Sequence, residues 1–357
     1  MSSTKLGGME EYLLEIVRVC RDRGYRTVIQ YESVPASAPY LAALRTLDAE
    51  VAICRTHTGG VSAYRSALRL LLCERPTVIQ THFAPVWVMG LAGLVGPIGG
   101  ARKVVSMVHN KIDHHQYGRA RYGYNRCDHV LAVSKAVAEN LIASGVDHRL
   151  VETHYMGLPA IPNRNDALGI ALRKELSIPA DAIVFGSIGF DAAFKGVDVL
   201  LAAFRDVYQR LPNAYLLQVG VEESSQLRIL ATELGIGDRV RWAGVRDSGY
   251  RLLNAANIYV QPSRFGEGLP LSIMEAMALE LPVIASRVSG NQEAVLDSKT
   301  GVLVAADDPQ SLSNEMMNMA LNRHAWSTVG GAGRARTQSL FNGRTSVRLL
   351  VDRYYDL

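Results

Sequence analysis

The chain has 357 residues, 48% of them hydrophobic and 20% charged, which describes a globular protein able to bury two ordinary cores and excludes a disordered or fibrous chain. The formal net charge is +4, divided as about +5 before residue 160 and about −1 after it, and eight of the nine histidines fall in that first part. Such an asymmetry suits an anionic membrane surface or a phosphorylated acceptor, and it reads equally well as scattered solvated charge; nucleic acid is not expected, because no recognition motif accompanies it.

In chain order, Gly7 and Gly8 open onto a helix over 9–23, followed by strands over 27–30 and 51–54, a helix over 63–72 and a strand over 77–80. The apolar run over 84–100 contains Pro85, Pro97 and several glycines and is shorter than the roughly twenty residues a bilayer-spanning helix needs, so it reads as a core or interfacial helix. Strands over 104–108 and 130–133, with helices through 122 and over 136–144, complete a first doubly wound unit. Pro159, Pro162, Asn163 and Asn165 make the best linker in the chain. Strands over 183–188, 214–219, 240–242, 258–260 and 283–285 then alternate with helices over 197–209, 225–234 and 251–256, and an amphipathic helix over 345–355 closes the chain. The expectation is an α/β protein with domains over 1–160 and 161–340 and a terminal helix over 341–357. Cys20, Cys54, Cys73 and Cys127 lack metal-type spacing and read as thiols of a reducing compartment. The opening residues are polar and unlike a secretory leader, which makes the cytoplasm the expected location.

The most informative stretch is PSRFGEGLPLSIMEAM, residues 262–277. The apolar residues before it read as a strand end, Gly266 and Gly268 as a tight loop, and Pro270 as the first residue of a helix. Glu267 then lies on the loop and Glu275 inside the helix. The N–H groups and dipole at a helix start suit a diphosphate, and glycines let it approach the backbone. The two carboxylates would repel phosphate, but their acceptor oxygens suit vicinal hydroxyls of a ribose or hexose. Taken alone, the pair also reads as a solvated loop charge and a residue complementing the helix dipole.

The setting decides between these readings. Ala255, Ala256 and Asn257, then Pro262, Ser263 and Arg264, Glu267 and Gly268, EAMA from Glu275, PVIAS from Pro282 and GNQE from Gly290 to Glu293 resemble, in order, the donor site of glycosyltransferase family 4. Lys195 to Asp198, Tyr155 to Leu158 and Lys5 to Glu10 fall where that family has counterparts, so the resemblance covers nearly the whole chain. It implies a GT-B fold, two Rossmann-like doubly wound domains facing across a cleft, with the terminal helix returning to the first domain. It also implies a retaining transfer of a hexosyl unit from a nucleotide diphosphate sugar to a glycan or lipid-linked acceptor, in surface polysaccharide or lipopolysaccharide synthesis. No cofactor is implied beyond that substrate, and no metal, since no Asp-x-Asp triplet occurs. The location so implied is cytoplasmic, peripheral on the inner face of the plasma membrane.

By the same resemblance, Glu267 contacts hydroxyls of the transferred sugar, Glu275 holds the ribose hydroxyls, Gly268 and Leu269 face the diphosphate, and Glu293 supports them. Lys195 stabilises the departing diphosphate, and His109 contacts the sugar and assists the leaving group. Gly7 and Gly8 open the helix that approaches the donor, and the loop over 242–246 holds the base. Two departures stand out. The family has an arginine five positions before the lysine, where this chain has Phe190, and Arg264 is the expected replacement. The family also has a strand before the glycine pair, where only four residues precede Lys5, so the central first strand is expected to be absent. An upstream start is the preferred explanation, because losing a central strand leaves two neighbours with unpaired backbone groups. A nucleotide-sugar 2-epimerase on the same scaffold and a catalytically degenerate nucleotide-binding subunit are the alternative readings.

Overall fold

Short apolar segments alternate with helices along the chain, and the structure, a computed structural model describing residues 8–56 and 60–355, gathers them into two units. One comprises Met1–Pro159 with Gly343–Leu357, the other Ala160–Asn342. In the first unit β1 (Val28–Tyr31) pairs in parallel with β2 (Glu50–Ile53). A second parallel sheet contains β3 (Val78–His82), β4 (Lys103–Val108), β5 (His129–Ala132) and β6 (Val151–Thr153) in that order. Among the described residues the unit's strands thus form two sheets, and β1 and β3 each have a single strand neighbour. Gly7 and the four residues before Lys5, on which the expectation of an absent first strand rests, lie outside the described residues.

The helix Gly8–Asp22 buries Tyr12, Ile16, Val17 and Cys20 on one face and packs against the last helix, Gly343–Tyr354. A polar clip joins them: the Tyr12 hydroxyl lies 3.0 Å from Ser346 Oγ and 3.1 Å from His154 Nε2, while Ser346 donates to the Tyr155 carbonyl at 2.8 Å. Gly343 N–H donates to the Leu158 carbonyl at 3.0 Å, and a Cβ at that position would stand 2.7 Å from the Gly157 carbonyl oxygen. Glycine is what lets the returning chain lie against the segment that leaves the unit. The apolar run forms the helix Val86–Gly99, whose Leu94 and Ile98 are exposed. Among the described residues no helix is long and apolar enough to cross a membrane.

The second unit holds β7 (Ile183–Ile188), β8 (Ala214–Val219), β9 (Val240–Gly244), β10 (Ile258–Gln261), β11 (Val283–Ser286) and β12 (Gly301–Val304) in one parallel sheet ordered β12-β11-β10-β7-β8-β9. Successive side chains point to opposite faces. Ile183, Phe185 and Leu216 therefore join one core with Leu200 and Phe204, and Val184, Tyr215 and Leu217 join another with Ile273 and Met277. Burial on both faces explains why these strands read as continuous apolar runs. The segment over 251–256, expected as an α-helix, is a 3-10 stretch Gly249–Ala255. The expected linker leads directly into a helix, Asp166–Glu175, capped by Asn165 accepting from Leu168 N–H at 2.9 Å.

Candidate functional site

Strand order reverses between β7 and β10, which are neighbours in space but distant in sequence, and ligands of open parallel sheets bind beyond the carboxyl ends of strands at such a switch point. The two loops leaving those ends carry Lys195 and Glu267. After β7 the chain makes a 3-10 turn, Ala193–Lys195, and enters the helix Val197–Arg210 through Gly196 at φ 64°. A Cβ on Gly196 would lie 2.1 Å from the Pro262 carbonyl oxygen, so both the backbone angle and the close approach require glycine there. Arg264 N–H donates to the Phe194 carbonyl at 2.8 Å, tying one loop to the other. Behind them Gly290 N–H donates to the Glu267 carbonyl at 3.1 Å, and a Cβ on Gly290 would stand 2.1 Å from the Gly268 carbonyl oxygen.

Glu267 is 6% exposed, and a carboxylate that buried needs partners. Its Oε1 accepts from Lys195 Nζ at 2.8 Å, Ser263 Oγ at 2.7 Å and Gln261 Nε2 at 3.2 Å. The other oxygen has no hydrogen-bond partner among the described residues. Gln261 is held in turn, its Oε1 accepting from Tyr259 Oη at 2.5 Å and Ser272 Oγ at 3.1 Å. Burial pushes the Tyr259 phenol far above its ordinary range, so it remains a proton donor. The Lys195 ammonium also stands 5.0 Å from the Phe194 ring centroid and 5.8 Å from that of Phe190, whose ring is half exposed. Its charge therefore meets one carboxylate oxygen and two aromatic faces.

Arg264 is a correction. Its Nη1 and Nη2 donate to the two Asp198 oxygens at 2.8 and 2.7 Å, its Nε donates to Asp307 at 2.7 Å, and Nη1 also reaches the Ala193 carbonyl at 3.1 Å. A guanidinium engaged by two carboxylates is not a spare cation to replace the one missing at Phe190. It is a brace fixing the Glu267 loop to the start of the helix Val197–Arg210. Burial raises the Asp198 carboxyl, but the bonds from Arg264 outweigh it and hold the group below the usual carboxylate range.

Pro270 caps the motif helix, which runs Leu271–Ala278 and carries Glu275 half-buried. Gly268 is buried, and Leu269 packs on the core beneath. Glu293 lies on the short helix Ser289–Ala294, its carbonyl accepting from Arg336 at 2.6 Å. The expected base loop over 242–246 begins inside β9, where Trp242 is the middle residue and lies 5.4 Å under the Arg228 guanidinium. The second unit thus brings together Lys195, Glu267 and the Gly268 loop and places Glu275 and Glu293 on the adjoining helices. Gly8 and His109 belong to the first unit. Sequence reasoning missed Gln261 and Ser263, which position Glu267; the period-two run of polar side chains Tyr259, Gln261 and Ser263 leaving an apolar strand was the available signal. It also missed His82, whose Nδ1 lies 3.0 Å from His109 Nε2. Burial lowers His82 to about 4 and, with His82 adding to the effect, His109 well below its ordinary value. Among the described residues no three His, Cys, Asp or Glu side chains converge as a metal-holding group.

Parallel sheets covered by helices, with paired loops at a switch point of the second unit, define a doubly wound α/β protein, and solved structures narrow that class. The chain superposes on the Anabaena Alr3699/HepE protein in complex with UDP and glucose with a TM-score of 0.85 and 20% identity, covering 100% of this chain and 98% of that one. With WaaG, a glycosyltransferase involved in lipopolysaccharide biosynthesis, the TM-score is 0.72 at 16% identity, over 99% and 98% of the two chains. These likenesses show the GT-B fold. Residues 6–159 match the model of Glycosyltransferase Family 4, and residues 170–333 match that of Glycosyl transferases group 1. The chain belongs to glycosyltransferase family 4. Among its relatives are the lipopolysaccharide core biosynthesis glycosyltransferase LpsE of Rhizobium meliloti, 25% identical over 99% of this chain and 96% of that protein, and a D-inositol 3-phosphate glycosyltransferase of Corynebacterium urealyticum, 34% identical over 40% and 36%. The match with the latter spans about a third of that relative's length.

Proposed function

We propose that this glycosyltransferase moves a hexosyl unit, with retention at the anomeric carbon, from a nucleoside diphosphate sugar to a glycan or lipid-linked acceptor in surface polysaccharide synthesis. The observation that carries the reading is the pair of half-buried Lys195 and buried Glu267 at the switch point. One oxygen of Glu267 is saturated by protein donors, which leaves the other as an acceptor for a sugar hydroxyl. The ammonium beside it stands where negative charge develops on a departing diphosphate. Glu275 is assigned the ribose hydroxyls, Gly268 and Leu269 the diphosphate through their backbone, Glu293 the support of that loop, and His109 the sugar. No carboxylate here is assigned as a covalent nucleophile. The leaving phosphate oxygen itself takes the acceptor proton as the new glycosidic bond forms on the same face, and the protein supplies position and charge. No step calls for a metal ion. With Arg264 committed to Asp198 and Asp307, Lys195 is the principal cation of the site.

Calorimetry with UDP, GDP and ADP tests the assignment. One of them binds, Glu275→Ala weakens that binding about tenfold, the size of a lost pair of hydroxyl hydrogen bonds, and Glu267→Ala leaves it nearly intact. Binding of none of the three, or an affinity indifferent to Glu275→Ala, would overturn the assignment. Isomerisation of a nucleotide sugar without any acceptor would favour the epimerase reading instead.

A further inference from the structure

In the first unit a run of four polar side chains crosses from the last described residue to the end of β4. The Tyr355 hydroxyl donates to Gln80 Oε1, Gln80 Nε2 lies 2.6 Å from His82 Nε2, and His82 Nδ1 lies 3.0 Å from His109 Nε2. Proton positions follow from what each group can do. An amide NH2 only donates, so His82 Nε2 accepts and the His82 proton sits on Nδ1. That proton is given to His109 Nε2, which therefore accepts, and the His109 proton sits on Nδ1. Both rings are neutral near pH 7 because burial lowers them, so each carries one proton and its place is a definite choice. Burial likewise keeps the Tyr355 phenol protonated at the head of the chain.

The ring itself is clamped. Phe83 stacks on His109 with centroids 4.2 Å apart and planes 17° apart, and the His82 ring lies 5.2 Å away at 29°. Phe83 adopts φ 50°, a left-handed backbone that costs a bulky residue free energy and that marks functional positions when packing enforces it. Among the described residues, Nδ1 of His109 has no hydrogen-bond partner.

We propose that Tyr355, Gln80 and His82 are positioning residues that fix His109 in the tautomer protonated on Nδ1, making it a hydrogen-bond donor to a hydroxyl oxygen of the bound sugar. The choice of ligand rests on the function proposed above; the tautomer does not. Tyr355, just beyond the returning helix Gly343–Tyr354, thereby sets the chemistry of a residue assigned to the sugar.

The test is a long-range 1H–15N correlation spectrum of the full chain labelled with [15N]histidine, its signals assigned through His82→Ala and His109→Ala. Both rings are expected as Nδ1–H tautomers in the unsubstituted protein. Tyr355→Phe keeps the ring and its packing but removes the proton given to Gln80, and Gln80→Leu removes the amide; in each, His109 is expected to become a mixture in which Nε2–H is substantially populated. Turnover of the nucleotide sugar falls about tenfold with little change in its KM, as for one hydrogen bond lost in the transition state. An Nε2–H tautomer of His109 in the unsubstituted protein, or Nδ1–H retained by both variants, would overturn the proposal. The spectra need no substrate, so a chain that binds no nucleotide but shows both Nδ1–H rings contradicts the donor assignment and upholds the relay.

Discussion

The two units bury polar groups in opposite ways. The second buries a charge, Glu267, and balances it with Lys195 within two loops that glycines bring together. The first encloses neutral imidazoles, the buried His109 and the half-buried His82 and His154, in contacts drawn from strands and the terminal helix. Glu267 draws two of its three donors, Gln261 and Ser263, from its own stretch of sequence and so leaves a mark there, whereas a neutral relay that reaches from Gln80 to Tyr355 leaves almost none.

The strongest way to break the contrast is to remove the buried charge. Glu267→Ala strips Lys195, Ser263 and Gln261 of their shared acceptor, and transfer is expected to fall by about two to three orders of magnitude while nucleoside diphosphate affinity changes little. Steady-state kinetics beside calorimetry would show it; a parallel loss of affinity would place Glu267 on the nucleotide instead. Next come the glycines that close the loops. Gly290→Ala drives a Cβ to within 2.1 Å of the Gly268 carbonyl oxygen and is expected to cost the second unit about 3 kcal/mol, read from denaturant melts, with no comparable loss in the first.

Acid should separate the units in the other direction. Below about pH 6.5 an unfolded histidine takes up a proton, whereas folded His82 and His154 resist until about 4. Between those values the unfolded chain binds more protons, so stability falls as pH drops, by up to about 1.4 kcal/mol per pH unit for each such ring. The first unit holds these residues, and the one histidine beyond residue 160 is His324. Hydrogen exchange at about pH 5 should therefore show the first unit loosened before the second; equal loosening would contradict the contrast. The smallest effect is expected from Phe190→Arg. It adds a cation beside Lys195 at an exposed position and should tighten nucleoside diphosphate binding roughly threefold to tenfold.

Much of the second unit was legible in the sequence. Strands over 183–188 and 214–219 coincide with β7 and β8 because burial on both faces makes them uninterrupted apolar runs. Gly266, Gly268 and Pro270 were legible as a tight loop entering a helix, which placed Glu267 on that loop, while the roles of Glu267 and Lys195 came through resemblance. The partners of Arg264 were not: Asp198 and Asp307 come from other elements, and an arginine's sequence setting does not say which carboxylates will reach it. The helix Asp166–Glu175 hid behind prolines and asparagines that read as a linker, although Asn165 is itself a capping residue. His109 was found through resemblance. His82, Gln80 and Tyr355 were not, since nothing local ties residues that meet only through strand order and the returning helix.

The proposal above assigns the nucleotide-sugar site to the second unit, around Glu267. Hydrogen–deuterium exchange with and without the bound nucleoside diphosphate tests it most directly. Slowed exchange over 189–197 and 262–278 is the predicted result. Protection confined to the first unit, or none at saturating nucleotide, would contradict it.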